Sequence, residues 1–223
     1  MKAGDFLKHL PLFQTFNEVE LVQLDELLHF RKLPKHTLIY SPGERSESVY
    51  FLVKGTVKIG TTFDEGREVI KNVLHPMAMF GELSLVGEER RRDFAMSMNE
   101  EIQLFSLKAT RFQDLLRNNN QLAMNLLTLI GNRLQKAEKR LESMILKDAR
   151  ERIIDFLKDS ADKRGKKVGF EMLIKHSLTQ QDIANITGTS RQTVTSVLND
   201  LRKANLIYFN RRSILIRDVS KLS

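Results

Sequence analysis

The chain has 223 residues, enough for a sizeable core and intermediate in length between one large domain and two small ones. It contains no cysteine, which excludes disulfides, thiolate zinc sites, cysteine-ligated iron–sulfur clusters and thiol redox sensing together. A net charge of +8 and a pI near 9.7 favour a polyanionic partner. The chain has no apolar run of about eighteen residues and no cleavable leader, which predicts a soluble, cytoplasmic protein that uses no membrane.

The charge is unevenly placed. Residues 148–223 carry 15 Lys and Arg against 9 Asp and Glu, whereas residues 1–147 carry 21 against 19. That asymmetry divides the chain near residue 148 and directs the search for nucleic-acid contacts to its C-terminal part.

In chain order, the first thirty residues read as short helices, with Phe6, Leu7, Leu10, Phe13, Phe16, Leu21, Leu24, Leu27 and Leu28 at helix-like spacing, and Pro34 ends that regime. From Lys35 to Leu107 the pattern changes to short β-type runs: Thr37–Tyr40, Ser48–Val53, Gly55–Phe63, Glu68–Leu74, Asp93–Met98 and Ile102–Leu107. Turn residues such as Ser41-Pro42-Gly43 and Asp64-Glu65-Gly66 separate them, and short strands so spaced suggest a jelly roll or barrel.

Beyond Ala109 the period is helical again. Ala123, Leu127, Ile130, Leu134, Ala137, Leu141 and Met144 alternate by four and three residues, an a/d seam flanked by charge at Arg133, Lys136, Glu138, Lys139, Arg140 and Glu142. The spacing suits two copies of the helix packed together and predicts a homodimer; an amphipathic helix packed on its own domain is the alternative. Asp148 caps a helix Ala149–Leu157, and the charged, glycine-containing stretch Lys158–Gly169 reads as a loop.

Residues 178–201 carry the strongest local signal. Thr179 caps a short helix Gln180–Thr187 with Ile183 and Ala184 turned inward, Gly188 permits a sharp turn, and Ser190 caps a second helix. Val194, Val197, Leu198 and Leu201 share one face of that helix, leaving Arg191, Gln192, Thr195, Ser196 and Asn199 on another. A helix-turn-helix follows, with the polar start of its second helix suited to the major groove of duplex DNA. Leu206–Phe209 and Ser213–Ile216 read as a wing hairpin exposing Arg211 and Arg212 at its tip. Those two arginines suit phosphates, whereas Arg191 suits guanine and Gln192 adenine.

These pieces together resemble the CRP/FNR family of bacterial transcription regulators over nearly the whole chain. The resemblance is carried by Gly43-Glu44, Val53-Lys54-Gly55, the Gly66 hairpin, Phe80-Gly81-Glu82-Leu83-Ser84, the long helix to Lys147-Asp148, and the run from Gly188 through Arg191 to Thr195. It implies an α+β protein with three parts: a jelly-roll (double-stranded β-helix) sensor of cyclic-nucleotide-binding type over residues 1–118, a dimerisation helix over 119–147, and a winged helix-turn-helix over 148–223. It also implies a homodimer on a palindromic DNA site and direct contact with RNA polymerase.

In members that bind cyclic AMP, a Gly-Glu pair holds the ribose, an arginine followed by Ser or Thr holds the phosphate, and long-helix hydroxyls meet the base. Here Gly81, Glu82 and Arg92 match, but Asp93 stands in the hydroxyl position, and Ala137 and Glu138 stand where the long-helix hydroxyls fall. A carboxylate beside a phosphate repels it, costing about 1–3 kcal/mol. The expectation is a small effector other than cyclic AMP, or none. Met77 and Ala78 replace the family's Gly-Asp, and Gln192 and Ser196 replace a common glutamate and arginine of the recognition helix, so that turn and the half-site are expected to differ.

His75 before Pro76 lacks an axial partner for haem, and no metal or other cofactor is expected. Glu88 to Arg92 and Lys163 to Lys167 read as solvated charged loops, with an anion site and a contact to flanking DNA as the respective alternatives. There is no cysteine, no His-x-x-x-His pair and no Gly-rich phosphate loop, so no constellation supports an enzyme. The rival reading is a ligand-binding module that controls a partner protein.

Overall fold

A computed structural model of the chain describes residues 3–63, 66–98, 100–176, 178–210 and 212–222. They form two compact units: Met1–Thr61 with Lys71–Ala137, and Thr62–Ile70 with Glu138–Ser223.

The first unit begins with helix α1 (Ala3–Leu7), a 3-10 turn at Pro11–Phe13 and helix α2 (Glu18–Leu27). Asn17 and Glu20 close a capping box on α2, each side chain accepting from the other's backbone N–H. Eight strands follow: β1 (His29–Leu33), β2 (Leu38–Tyr40), β3 (Ser48–Lys54), β4 (Val57–Thr62), β5 (Glu68–Leu74), β6 (Met79–Phe80), β7 (Phe94–Ser97) and β8 (Ile102–Lys108). They make two four-stranded sheets, ordered β1-β8-β3-β6 and β2-β7-β4-β5.

Strand β3 shows why its sequence lacks polar alternation. Tyr50 and Leu52 face the interior between the sheets with Val57, Phe80, Ile102 and Leu104, while Val49 and Phe51 face a second core with the helices. Both faces are buried, so both must be apolar. The second core takes Leu7, Phe13, Leu24 and Phe112 from the helices, the last from α3 (Ala109–Asn118), together with Leu122 and Leu126 at the start of α4 (Asn120–Leu146).

Residues 29–30 are not helical as their spacing suggested. They open β1, paired with β8 at Phe30↔Phe105 with the rings 5.4 Å apart. Neither glycine nor proline separates α2 from β1, so only the cross-strand pairing marks the change.

The second unit contains α5 (Ala149–Arg164), β9 (Lys166–Val168), β10 (Glu171–Lys175), α6 (Gln180–Thr187), α7 (Arg191–Lys203), β11 (Ile207–Phe209) and β12 (Ser213–Ile216), its sheet ordered β11-β12-β10-β9. Lys158–Gly169 is therefore not a loop. Leu157, Ser160 and Ala161 continue the buried face of α5, and the charges around them are the solvated side of the same helix.

Candidate nucleic-acid interface

The helix-turn-helix is built by local chemistry. Thr179 and Asp182 form a capping box on α6, with the Asp182 backbone N–H donating to Thr179 Oγ1 at 3.1 Å and the Thr179 N–H donating to Asp182 Oδ2 at 2.8 Å. Gly188 ends α6 at φ 64°, a left-handed conformation natural to glycine, and Ser190 caps α7 by accepting from the Thr193 N–H at 3.0 Å. Val194, Val197, Leu198 and Leu201 are buried beneath α7.

That packing turns the other face outward. Arg191, Gln192, Thr195, Ser196 and Asn199 together line a concavity of about 510 Å³. Thr195 Oγ1 lies 2.7 Å from Gln180 Oε1, joining the start of α6 to the reading face of α7. In the wing, Arg212 is exposed, and Arg202 stacks over the Phe209 ring at 5.3 Å. Arg211 lies outside the described residues. The arrangement offers donors and acceptors on one helix face, with a cation on the adjoining hairpin, which suits base edges and phosphates respectively.

In the jelly roll, Gly81 takes φ 78° ahead of a 3-10 turn at Glu82–Leu85, and a Cβ there would approach Ser48 O to 2.9 Å. The family-matched Arg92 is exposed, and its neighbour Arg91 is the buried arginine. Arg91 donates to the carbonyls of Gly81 (3.2 Å) and Ser48 and stacks 4.4 Å from the Tyr40 ring. Burial pushes the Tyr40 hydroxyl pKa up, opposed by the Arg91 charge.

Ion pairs occupy two of the three remaining candidate effector residues, Asp93 and Glu82. Asp93 Oδ1 accepts from Lys71 Nζ at 2.6 Å, and Glu82 pairs with Arg133 of α4, which also donates to Met79 O. Lys71, Arg91 and Arg133 were not singled out from the sequence for this role; Arg133 appeared there only as a flanking charge and Arg91 only within the Glu88–Arg92 run, which is not a wholly solvated loop, since Arg91 and Glu88 pair with both side chains largely buried. Glu138 is exposed on α4. Met77 holds a left-handed φ of 73° in its turn, which glycine adopts at less cost.

Along α4, Leu127, Leu134 and Leu141 are exposed at 60%, 59% and 62%, and Ala137 is exposed as well. Two other seam residues have neighbours within the chain: Ile130 packs against the second core of the jelly-roll unit, and Met144 lies against Gly188.

His176 precedes the α6 cap. Its backbone N–H donates to Arg212 O at 3.0 Å, its Nδ1 lies 3.1 Å from Leu178 O, and its buried Nε2 has no hydrogen-bond partner among the described residues. Burial holds its pKa below the ordinary histidine value, aided by the nearby Arg164 charge. The folded chain thus keeps His176 neutral while the unfolded chain protonates first. Stability is fully present above about pH 6.5 and is lost as pH falls toward the depressed folded value. Thermal unfolding of this unit should show that loss, and His176→Asn should flatten the dependence; an unchanged pH slope in the variant would remove His176 as its source.

A jelly roll followed by a long helix and a winged helix-turn-helix defines a DNA-binding transcription regulator with a cyclic-nucleotide-binding-type domain. Residues 30–119 match the cyclic nucleotide-binding domain family, and residues 151–223 match the Crp-like helix-turn-helix domain. The chain is 30% identical to a global nitrogen regulator of Synechococcus elongatus, covering 93% of this chain and 97% of the relative. It is 27% identical to a CRP-like cAMP-activated global transcriptional regulator of Mycobacterium tuberculosis, covering 98% and 97%. The FixK2 structure from Bradyrhizobium japonicum shares the fold, with a TM-score of 0.77 at 23% identity over 87% of this chain and 95% of that one. The chain belongs to the CRP/FNR family of bacterial transcription regulators, which are not enzymes. Among the described residues no helix is long and apolar enough to cross a membrane.

Proposed function

We propose that the protein acts as a homodimer that binds a palindromic duplex DNA site through α7, contacts RNA polymerase, and does not use cyclic AMP as its effector. The observation that carries the DNA reading is the outward cluster Arg191, Gln192, Thr195, Ser196 and Asn199, supported by the C-terminal excess of positive charge. Thr179, Gln180 and Ser190 sit at helix starts suited to phosphate contact, and Arg212 of the wing serves the same backbone; Arg211 is assigned there from the sequence.

A second reading, regulation independent of any effector, is favoured by the Lys71–Asp93 and Arg133–Glu82 pairs. Lys71 and Arg133, each already matched by a carboxylate of the chain, have less charge left to attract an anionic ligand.

Selection of binding sites from random duplex DNA, at two salt concentrations and with or without cyclic AMP, tests both. The expected result is a two-fold palindrome whose binding weakens steeply with salt. Cyclic AMP is expected to change nothing; dependence on it would overturn the reading of Asp93, and no enrichment would overturn the DNA assignment. Enrichment that needs an added cell extract would restore an unidentified effector.

A further inference from the structure

The end of α6 is held by arginines from two other helices. A helix leaves its last carbonyls without intrahelical donors. In α6, Ile183 O accepts from the Thr187 hydroxyl at 2.8 Å, and Ala184 O accepts from the backbone N–H groups of Gly188 and Thr189. The carbonyls of Ile186, Thr187 and Gly188 are bonded from outside. Arg140 of α4 donates to Ile186 O, and Arg152 of α5 donates to Thr187 O at 2.9 Å and Gly188 O at 3.2 Å.

Each arginine also grips a second segment. Arg140 Nη2 donates to Ile70 O of β5 at 2.8 Å, and Arg152 Nη1 donates to Lys147 O, between α4 and α5, at 2.6 Å. Met144 adds an apolar contact, its Cε lying 3.0 Å from where a Cβ on Gly188 would sit. Capping alone needs none of this reach, since a glycine turn and water satisfy helix ends routinely. Arg152 spreads its bonds over all three guanidinium nitrogens, which holds its partners in a fixed geometry, while Arg140 bridges its two carbonyls through Nη2, and both tie the helix-turn-helix turn to the C-terminal end of α4.

We propose that Arg140 and Arg152 are positioning residues that set the angle between the end of α4 and the helix-turn-helix, and so fix the spacing and rotation of the two recognition helices on DNA. This rests on the dimeric, palindrome-binding reading. Neither arginine is a DNA contact. Their effect is on which half-site separation the dimer accepts, not on how one unit reads its half-site.

The test uses the full chain, wild type and the Arg140→Met and Arg152→Met variants. Three duplexes are compared: the selected palindrome, the palindrome with one base pair inserted at its centre, and a single half-site. An inserted pair shifts the second half-site by about 3.4 Å and rotates it by roughly a tenth of a turn.

Wild type is expected to lose roughly tenfold or more on insertion, comparable to the loss from one mismatched pair. The variants should bind the single half-site as wild type does, while their loss on insertion falls to near unity. Insertion losses equal to wild type, or half-site binding that falls in step with melting temperature, would overturn the proposal and leave the arginines as stabilising caps. If Arg152→Met does not fold, Arg140→Met, which leaves both Arg152 caps in place, carries the same expectation. A flat insertion response in wild type would instead overturn the dimeric reading, and this inference with it.

Discussion

Replacing Arg191 with alanine should abolish the protein's sequence preference at one base position of each half-site and weaken binding to the full site on the order of a hundredfold. Arg191 is the first residue of α7, exposed beside Gln192, Thr195 and Ser196, and the Ser190 cap fixes the helix start that carries it. A guanidinium there can donate both bonds to guanine O6 and N7, worth about 1–3 kcal/mol per contact, and two copies act on a palindrome. Fluorescence anisotropy on a panel of sites differing at that position measures the effect. Arg212→Ala is the control: loss of one phosphate contact from each protomer lowers affinity for all sequences alike and reduces the salt slope by roughly two on the full site. If Arg191→Ala behaved like the control, Arg191 would be a backbone contact and another residue would read the base.

Replacing Leu127, Leu134 and Leu141 together with asparagine is expected to give a folded monomer. The three recur at intervals of seven residues and are each about three-fifths exposed, whereas Leu122 and Leu126 on the opposite side of α4 are buried against the chain's own core. Covering the exposed part of a leucine contributes about 1–2 kcal/mol, so six across a two-fold seam contribute on the order of 6–12 kcal/mol, enough to hold a dimer at micromolar concentration. Sedimentation velocity should report the monomer, with circular dichroism unchanged, and the variant should bind one half-site without preference for a palindrome. A triple variant that still sedimented as a dimer would place the seam elsewhere. Ile130 and Met144 make poor targets, because each also packs within its own chain.

The helix-turn-helix was legible because its signals are local. A cap at Thr179, a glycine at 188, a cap at Ser190 and apolar residues every three or four positions depend on neighbours a few residues away, and the α6 bounds agree residue for residue. Most strands were legible for the same reason, since Glu68–Leu74 and Ser48–Lys54 are bounded by turn residues. The strand His29–Leu33 was not, because it exists through pairing with residues 69 to 77 positions away.

Side-chain direction in irregular segments was harder still. The choice between Arg91 and Arg92 is a choice of face, and moving one residue along an extended chain reverses it. Composition also misled at Lys158–Gly169, where surface charge on a helix reads like a loop until Ser160 and Ala161 are seen to be buried.

By itself, the sequence determined the elements of the helix-turn-helix, most of the jelly-roll strands and the apolar face of α7, because periodicity and capping act over single turns. Only the tertiary structure decided which cations meet which acceptors. Lys71 with Asp93, Arg133 with Glu82, and Arg140 and Arg152 with the end of α6 are separated by 22 to 51 residues along the chain. Long flexible side chains carry no periodic signature of the partner they will reach, so the fold must first bring the partners together.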